Sequence, residues 1–261
     1  MNENSKLFAF IFPGQGSQKV GMGKELYKEH KVAREVFQEV DDTLKFNLKD
    51  IIFDGPENTL TQTIYAQPAL MTVSIALTRV LEYELNSKIE DIASIVCGHS
   101  LGEYSALCSI DSISIADTAR LLRTRGYSMQ KAVNNIDTKM TAVIGMKLDV
   151  VENIIKNNVS NEICEIANDN CPGQLVISGH KKSVEKVANI CKNEGAKMVV
   201  DLKVSAPFHC KLMEKVEKDM EKALNYVKIN NPKSKFIANV NAQFENETQK
   251  IKSLLIKQVS N

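Results

Sequence analysis

The stretch Ile92-Ala93-Ser94-Ile95-Val96-Cys97 runs straight into Gly98-His99-Ser100-Leu101-Gly102, and helical composition follows from Glu103 to Cys108. A short unbroken apolar run of this kind reads as a buried strand. Glycines two before and two after a serine allow a sharp, strained strand-to-helix turn that holds the hydroxyl exposed. The helix that leaves the turn offers free N–H groups, notably that of Leu101, to a developing oxyanion. Together these features demand a sheet with helices packed on it and point to acyl chemistry at Ser100. The plainer alternative is a glycine-bracketed structural turn.

The rest of the chain fits such an architecture. Leu7 to Phe12 reads as a buried strand stopped by Pro13-Gly14, and Lys24 to Leu44 has a helical apolar pattern. Ala69 to Leu85 reads as a buried helix after a break at Gln67-Pro68, and Ile115 to about Gln130 as another. From about Lys139 to Val200 the rhythm changes. Strands are expected at Met140–Met146, Ile163–Ala167, Leu175–Ser178 and Ala196–Val200, with helices at Val150–Asn157 and Ser183–Asn193. That β-α-β-β-α-β order is the ferredoxin-like unit. The expected fold is therefore α/β: a larger α/β-hydrolase-like domain over 1–130 and 203–261, with a smaller ferredoxin-like domain inserted over 131–202. Ligand sites favour the cleft such an insertion makes.

Composition narrows the function. The 261 residues carry a formal charge of +1 and are 43% hydrophobic, which argues against a nucleic-acid or anionic-membrane binder and against disorder. Leu7–Phe12, the longest apolar stretch, is far short of a membrane span and has no cleavage site after it, so a cytoplasmic location is expected. The six cysteines form no CxxC pair, and neither a disulfide framework nor a metal site is expected. No cofactor is implied.

A serine needs a base. Of four histidines, His209 is the best placed, because it follows Ser205-Ala206-Pro207-Phe208 at an element junction. His99 adjoins the serine and should point away from it. His30 should face solvent on a helix, and His180 should serve as a loop or cap residue. The loop Pro13-Gly14-Gln15-Gly16-Ser17-Gln18 lacks the Lys-Ser/Thr ending of a phosphate loop, and a second oxyanion donor from Gln15 N–H suits it better. Arg120, Arg123 and Arg125 border an apolar helix face, where long cations snorkel to water, and the pattern alone favours Arg125 as a ligand only slightly.

Phe12-Pro-Gly-Gln-Gly-Ser-Gln18, Gln67-Pro68-Ala69, Gly98-His-Ser-Leu-Gly-Glu-Tyr104, Arg125-Gly126 with Met129-Gln130, Pro172-Gly-Gln174 and Phe208-His209 occur in an ordered series. In this the chain resembles the malonyl-CoA:acyl carrier protein transacylases of bacterial type II fatty acid synthesis. The resemblance implies Ser100 as nucleophile, His209 as general base, and Gln15 and Leu101 N–H groups as the oxyanion hole. It implies that a backbone carbonyl, here that of Gln258, orients the histidine. Arg125 would pair with the malonyl carboxylate, a task suited to guanidinium. Met129, Asn168, Asn170 and Phe208 would contact substrate, Phe208 resembling the malonyl-selective form.

The implied partners are malonyl-CoA and acyl carrier protein, with Lys181 and Lys182 as candidates for a basic docking rim or simply as solvated lysines. Relative to that family the C-terminus looks shortened, which leads us to expect weakened stability and a poorly held His209. Two other readings stay open: a serine hydrolase or thioesterase, and a poorly active fragment that still binds acyl carrier protein.

Overall fold

A computed structural model describes residues 8–134, 136–204 and 206–261. Leu7, at the head of the first apolar run, and Ser205, in the stretch before His209, lie outside the described residues. The strands are β1 Phe8–Phe12, β2 Ala93–Gly98, β3 Thr138–Ile144, β4 Cys164–Cys171, β5 Gln174–His180, β6 Met198–Asp201, β7 Lys235–Ile237 and β8 Phe244–Glu245. The chain divides into two compact units. One runs to Gly126 and resumes over Met220–Leu255; the other takes Tyr127–Asp219 and Ile256–Asn261.

The first unit holds a sheet of order β1-β2-β7-β8 in which β1, β2 and β7 are parallel and β8 is antiparallel. Phe12 pairs with Gly98 and Cys97 with Ile237, so all three parallel strands end at one edge. Ligand-binding loops in open α/β sheets collect at that carboxyl edge. The strand expected at Leu7–Phe12 is present but is not buried. Among the described residues it takes the outer position of the sheet, paired with β2 alone, and Ile11 is 73% exposed while Phe12 is buried.

Two helical expectations need correction. The segment Lys24–Leu44 is two helices, Lys24–Glu29 and Lys31–Leu44, because His30 takes an extended conformation. Arg34 supports the break by donating to the Tyr27 and Lys28 carbonyls at 3.0 and 2.9 Å, where the first helix has no partner of its own. His30 is thus a junction residue and not a helical one. The helix expected from Ala69 starts earlier, spanning Thr63–Leu85 with Pro68 inside it.

Proline lacks the N–H that would bond the carbonyl four residues back. That carbonyl belongs to Ile64, and Arg123 Nη1 donates to it at 3.0 Å, with its guanidinium 4.7 Å from the centres of both the Phe46 and Tyr65 rings. Arg123 therefore stays in the protein, whereas Arg120 pairs with Asp117 on an exposed side chain. We expect Arg123→Met to lower stability by about 2 kcal/mol in urea unfolding. The loss should shrink in a Pro68→Ala background, where residue 68 can serve the Ile64 carbonyl; equal losses in both backgrounds would refute the compensation.

Helix Thr63–Leu85 is also long and apolar enough to cross a membrane, which corrects the expectation that nothing beyond Leu7–Phe12 approaches that character. Its sequence is core instead: 61% of the apolar window is buried, including Ala66, Ala69, Met71, Ile75 and Ala76.

The second unit carries the antiparallel sheet β4-β5-β3-β6, the ferredoxin-like order. Helices Leu148–Asn158 and Lys181–Asn193 pack on it through Val151, Ile154, Val184 and Val187 against Val143, Leu175 and Ile177. The helix positions at spacings of three and four and the alternate strand positions supply this core, as periodicity requires. His180 caps this unit's second helix, and its Nδ1 accepts the Ile163 N–H at 2.9 Å. The cysteines form no disulfide, and burial raises the thiol pKa of Cys164, Cys191 and Cys210, the last to about 11. Such thiols are poor nucleophiles at neutral pH.

Candidate active site

The turn after β2 is left-handed at its centre: Ser100 has φ 53°, a conformation that costs a non-glycine residue of order 1–3 kcal/mol. The turn closes through Gly102 N–H to the His99 carbonyl at 2.9 Å and Glu103 N–H to the Ser100 carbonyl at 3.1 Å. The helix Gly102–Ser109 starts there, capped by Leu101, which is buried. His99 N–H donates to the Phe12 carbonyl at 3.0 Å, which holds the Pro13–Gln18 loop against the elbow. Gln15 lies in that loop, its Nε2 donating to Thr63 Oγ1 at 3.2 Å. His99 is exposed and Ser100 is half-buried.

Arg125 comes from the helix Ile115–Ala132, which approaches the Thr63 end of its neighbour very closely. A Cβ on Gly126 would lie 2.6 Å from the Thr63 carbonyl oxygen, so only glycine permits that approach. The result is a guanidinium 1% exposed whose Nη2 donates to Ser100 Oγ at 3.0 Å. Its carbon sits 5.9 Å from the centre of the Tyr104 ring. Burial pulls the Arg125 pKa down while Tyr104 and Glu103 push it back up. Arginine remains charged under such opposing influences. Burial also raises the Tyr104 phenol, which is therefore neutral, and its hydroxyl donates to the Leu255 carbonyl at 3.4 Å.

In the second unit His209 is 4% exposed and also left-handed, at φ 56°. Where the sequence led us to expect a loosely held ring, Nδ1 lies 2.6 Å from the Gln258 carbonyl and 3.2 Å from the Asn261 oxygen. His209 N–H also donates to the Val259 carbonyl at 3.3 Å. A carbonyl can only accept, so Nδ1 carries the proton in these contacts, and whenever the ring is neutral the lone pair is on Nε2. That is the tautomer a general base needs. Phe208 and Met129 are buried in the same unit, and Asn168 and Asn170 lie on β4, the first half-buried and the second exposed.

Within the first unit the fold thus brings Ser100, Leu101, Arg125 and the Gln15 loop together; within the second it joins His209 to Gln258. Sequence reasoning missed Asn239, whose Oδ1 accepts the Ser100 N–H at 2.5 Å. The only signal was its place just past the apolar run Phe236-Ile237-Ala238. Among the described residues no group of His, Cys, Asp and Glu is arranged to hold a metal ion.

Within the first unit, a strained serine beside a buried cation suits acyl chemistry at a hydroxyl. Residues 9–255 match the acyl transferase domain family. The chain is 41% identical over 252 residues to a malonyl CoA-acyl carrier protein transacylase of Bacillus subtilis, covering 96% of this chain and 78% of that one. It superposes with a TM-score of 0.93 on an acyl-carrier-protein-S-malonyltransferase from Bartonella henselae, at 49% identity, over 97% of this chain and 80% of that one. A malonyl-transacylase in complex with its type II PKS acyl-carrier protein is similar too, with TM-score 0.93, 36% identity, and 98% and 82% of the two chains covered. The chain belongs to the malonyl CoA-acyl carrier protein transacylases, within the acyl transferase domain family.

Proposed function

We propose that this protein transfers the malonyl group of malonyl-CoA to the phosphopantetheine thiol of acyl carrier protein, in fatty acid biosynthesis, through a malonyl ester of Ser100. The observation that carries the reading is the buried Arg125 guanidinium 3.0 Å from Ser100 Oγ. A carboxylate paired with that guanidinium places the far carbonyl of a three-carbon diacid within reach of the hydroxyl.

Ser100 Oγ attacks the thioester carbonyl as His209 Nε2 takes its proton. The tetrahedral oxyanion is stabilised by the N–H groups of Gln15 and Leu101. The carbon–sulfur bond breaks, His209 returns the proton to the departing thiolate, and free coenzyme A leaves. The carrier-protein thiol then repeats the sequence on the ester, which regenerates Ser100. The Gln258 carbonyl keeps the His209 proton on Nδ1 throughout. Met129, Asn168, Asn170 and Phe208 contact substrate in this reading. The coenzyme A substrate suits a cytoplasmic location.

The test is intact-mass spectrometry of the full chain mixed with malonyl-CoA, before and after addition of phosphopantetheinylated acyl carrier protein. One malonyl group should appear on Ser100 and then move to the carrier. Release of malonate at the same rate without carrier would instead indicate a hydrolase. For Arg125→Ala we expect the preference for malonyl-CoA over acetyl-CoA to fall roughly a hundredfold, because acetyl no longer leaves a buried cation without its partner. Competition between the two thioesters reads this out, and unchanged discrimination would remove Arg125 from the site.

A further inference from the structure

We propose that Asn239 is a positioning residue for the nucleophile, acting through the Ser100 peptide and anchored by Glu103. Three hydrogen bonds form a closed ring. Ser100 N–H donates to Asn239 Oδ1 at 2.5 Å, Asn239 N–H donates to Glu103 Oε1 at 3.0 Å, and Glu103 N–H donates to the Ser100 carbonyl at 3.1 Å. Both polar groups of a left-handed serine are thereby held. Such a conformation persists only where its surroundings over-determine it.

The parallel register explains how a residue so distant in sequence arrives there. Cys97 on β2 pairs with Ile237 on β7, so the residues just beyond both strands emerge side by side. Glu103 is completely buried in the first turn of the helix that follows the elbow, where the helix dipole favours a carboxylate. The side-chain amide suits the task for an electrostatic reason. It accepts the Ser100 N–H without adding a second negative charge next to Glu103 and the developing oxyanion. With the Ser100 N–H engaged, the Leu101 N–H is the elbow donor left for that oxyanion.

This inference rests on Ser100 being the acylated residue, so wild-type malonylation is the first arm of the test. Single-turnover acylation by malonyl-CoA is then compared in the full-length wild type, Asn239→Ala and Asn239→Asp. Asn239→Ala should slow acylation roughly 10- to 100-fold with malonyl-CoA KM changed by less than about twofold, the pattern of a misplaced reacting group. Asn239→Asp, which again offers an oxygen to the Ser100 N–H, should recover part of that rate.

Wild-type acylation rates in Asn239→Ala, or a raised KM with an unchanged rate constant, would overturn the proposal. Should Asn239→Ala fail to fold, amide hydrogen exchange of Ser100 in the wild type decides. Slow exchange supports the ring, and exchange as fast as an open loop refutes it. Absence of any adduct in the wild type would instead sink the transferase reading, which the exchange measurement does not depend on.

Discussion

Replacing Ser100 with alanine is expected to leave a folded protein that takes up no malonyl group and transfers none, with turnover reduced about ten-thousandfold or more. The loss is this large because the Ser100 hydroxyl is the one held at the tip of the elbow beside the Arg125 guanidinium. Five of the six thiols have their pKa raised by burial, and Tyr104 is neutral and already bonded to the Leu255 carbonyl. Stability should change by no more than about 1 kcal/mol, since the side chain is small and half-buried and the bond from Arg125 is of ordinary length at 3.0 Å. Intact mass after incubation with malonyl-CoA gives the result directly. An adduct on Ser100→Ala would move the nucleophile elsewhere and dismantle the assignment of Arg125 with it.

The largest structural effect should come from Gly98→Ala, by a different mechanism. A Cβ at residue 98 would sit 2.0 Å from the carbonyl carbon of Gly102, 2.1 Å from its oxygen and 2.5 Å from the Glu103 nitrogen. All three are backbone atoms of the turn itself, so no side chain can rotate away. The same holds for residue 102, whose Cβ would lie 2.3 Å from the Phe12 carbonyl oxygen. Overlap of this kind forces the helix Gly102–Ser109 away from β2 and strips packing from the centre of the sheet. We expect Gly98→Ala to cost more than about 4 kcal/mol and to appear as loss of soluble protein or a collapsed urea midpoint. A wild-type midpoint in this variant is incompatible with the elbow described above.

Both predictions concern residues legible in the sequence, and the reason is local. An elbow needs small residues at fixed offsets within five positions, and the ferredoxin-like unit needs apolar residues at helix and strand periods. Neighbouring residues alone express such requirements. The strand ends and helix starts of that unit accordingly fall within a few residues of where periodicity puts them.

What escaped was set by partners far along the chain. Pro68 reads as a helix breaker, yet the helix continues through it because Arg123, 59 residues away from Ile64 in sequence, supplies the missing donor. Arg123 and Arg125 look alike on one helix; the close crossing at Gly126 sends one to a carbonyl and the other to Ser100 Oγ. Asn239 has no local signature, since its contact with Ser100 spans 139 positions and depends on strand register. The residues by themselves determined the turn, the periodic core and the choice of serine chemistry, because short-range sterics and hydrophobic spacing are written in consecutive positions. Only the tertiary structure decided which cation serves the Ile64 carbonyl and which amide holds the Ser100 N–H, because hydrogen bonds between distant segments exist only once the sheets have assembled.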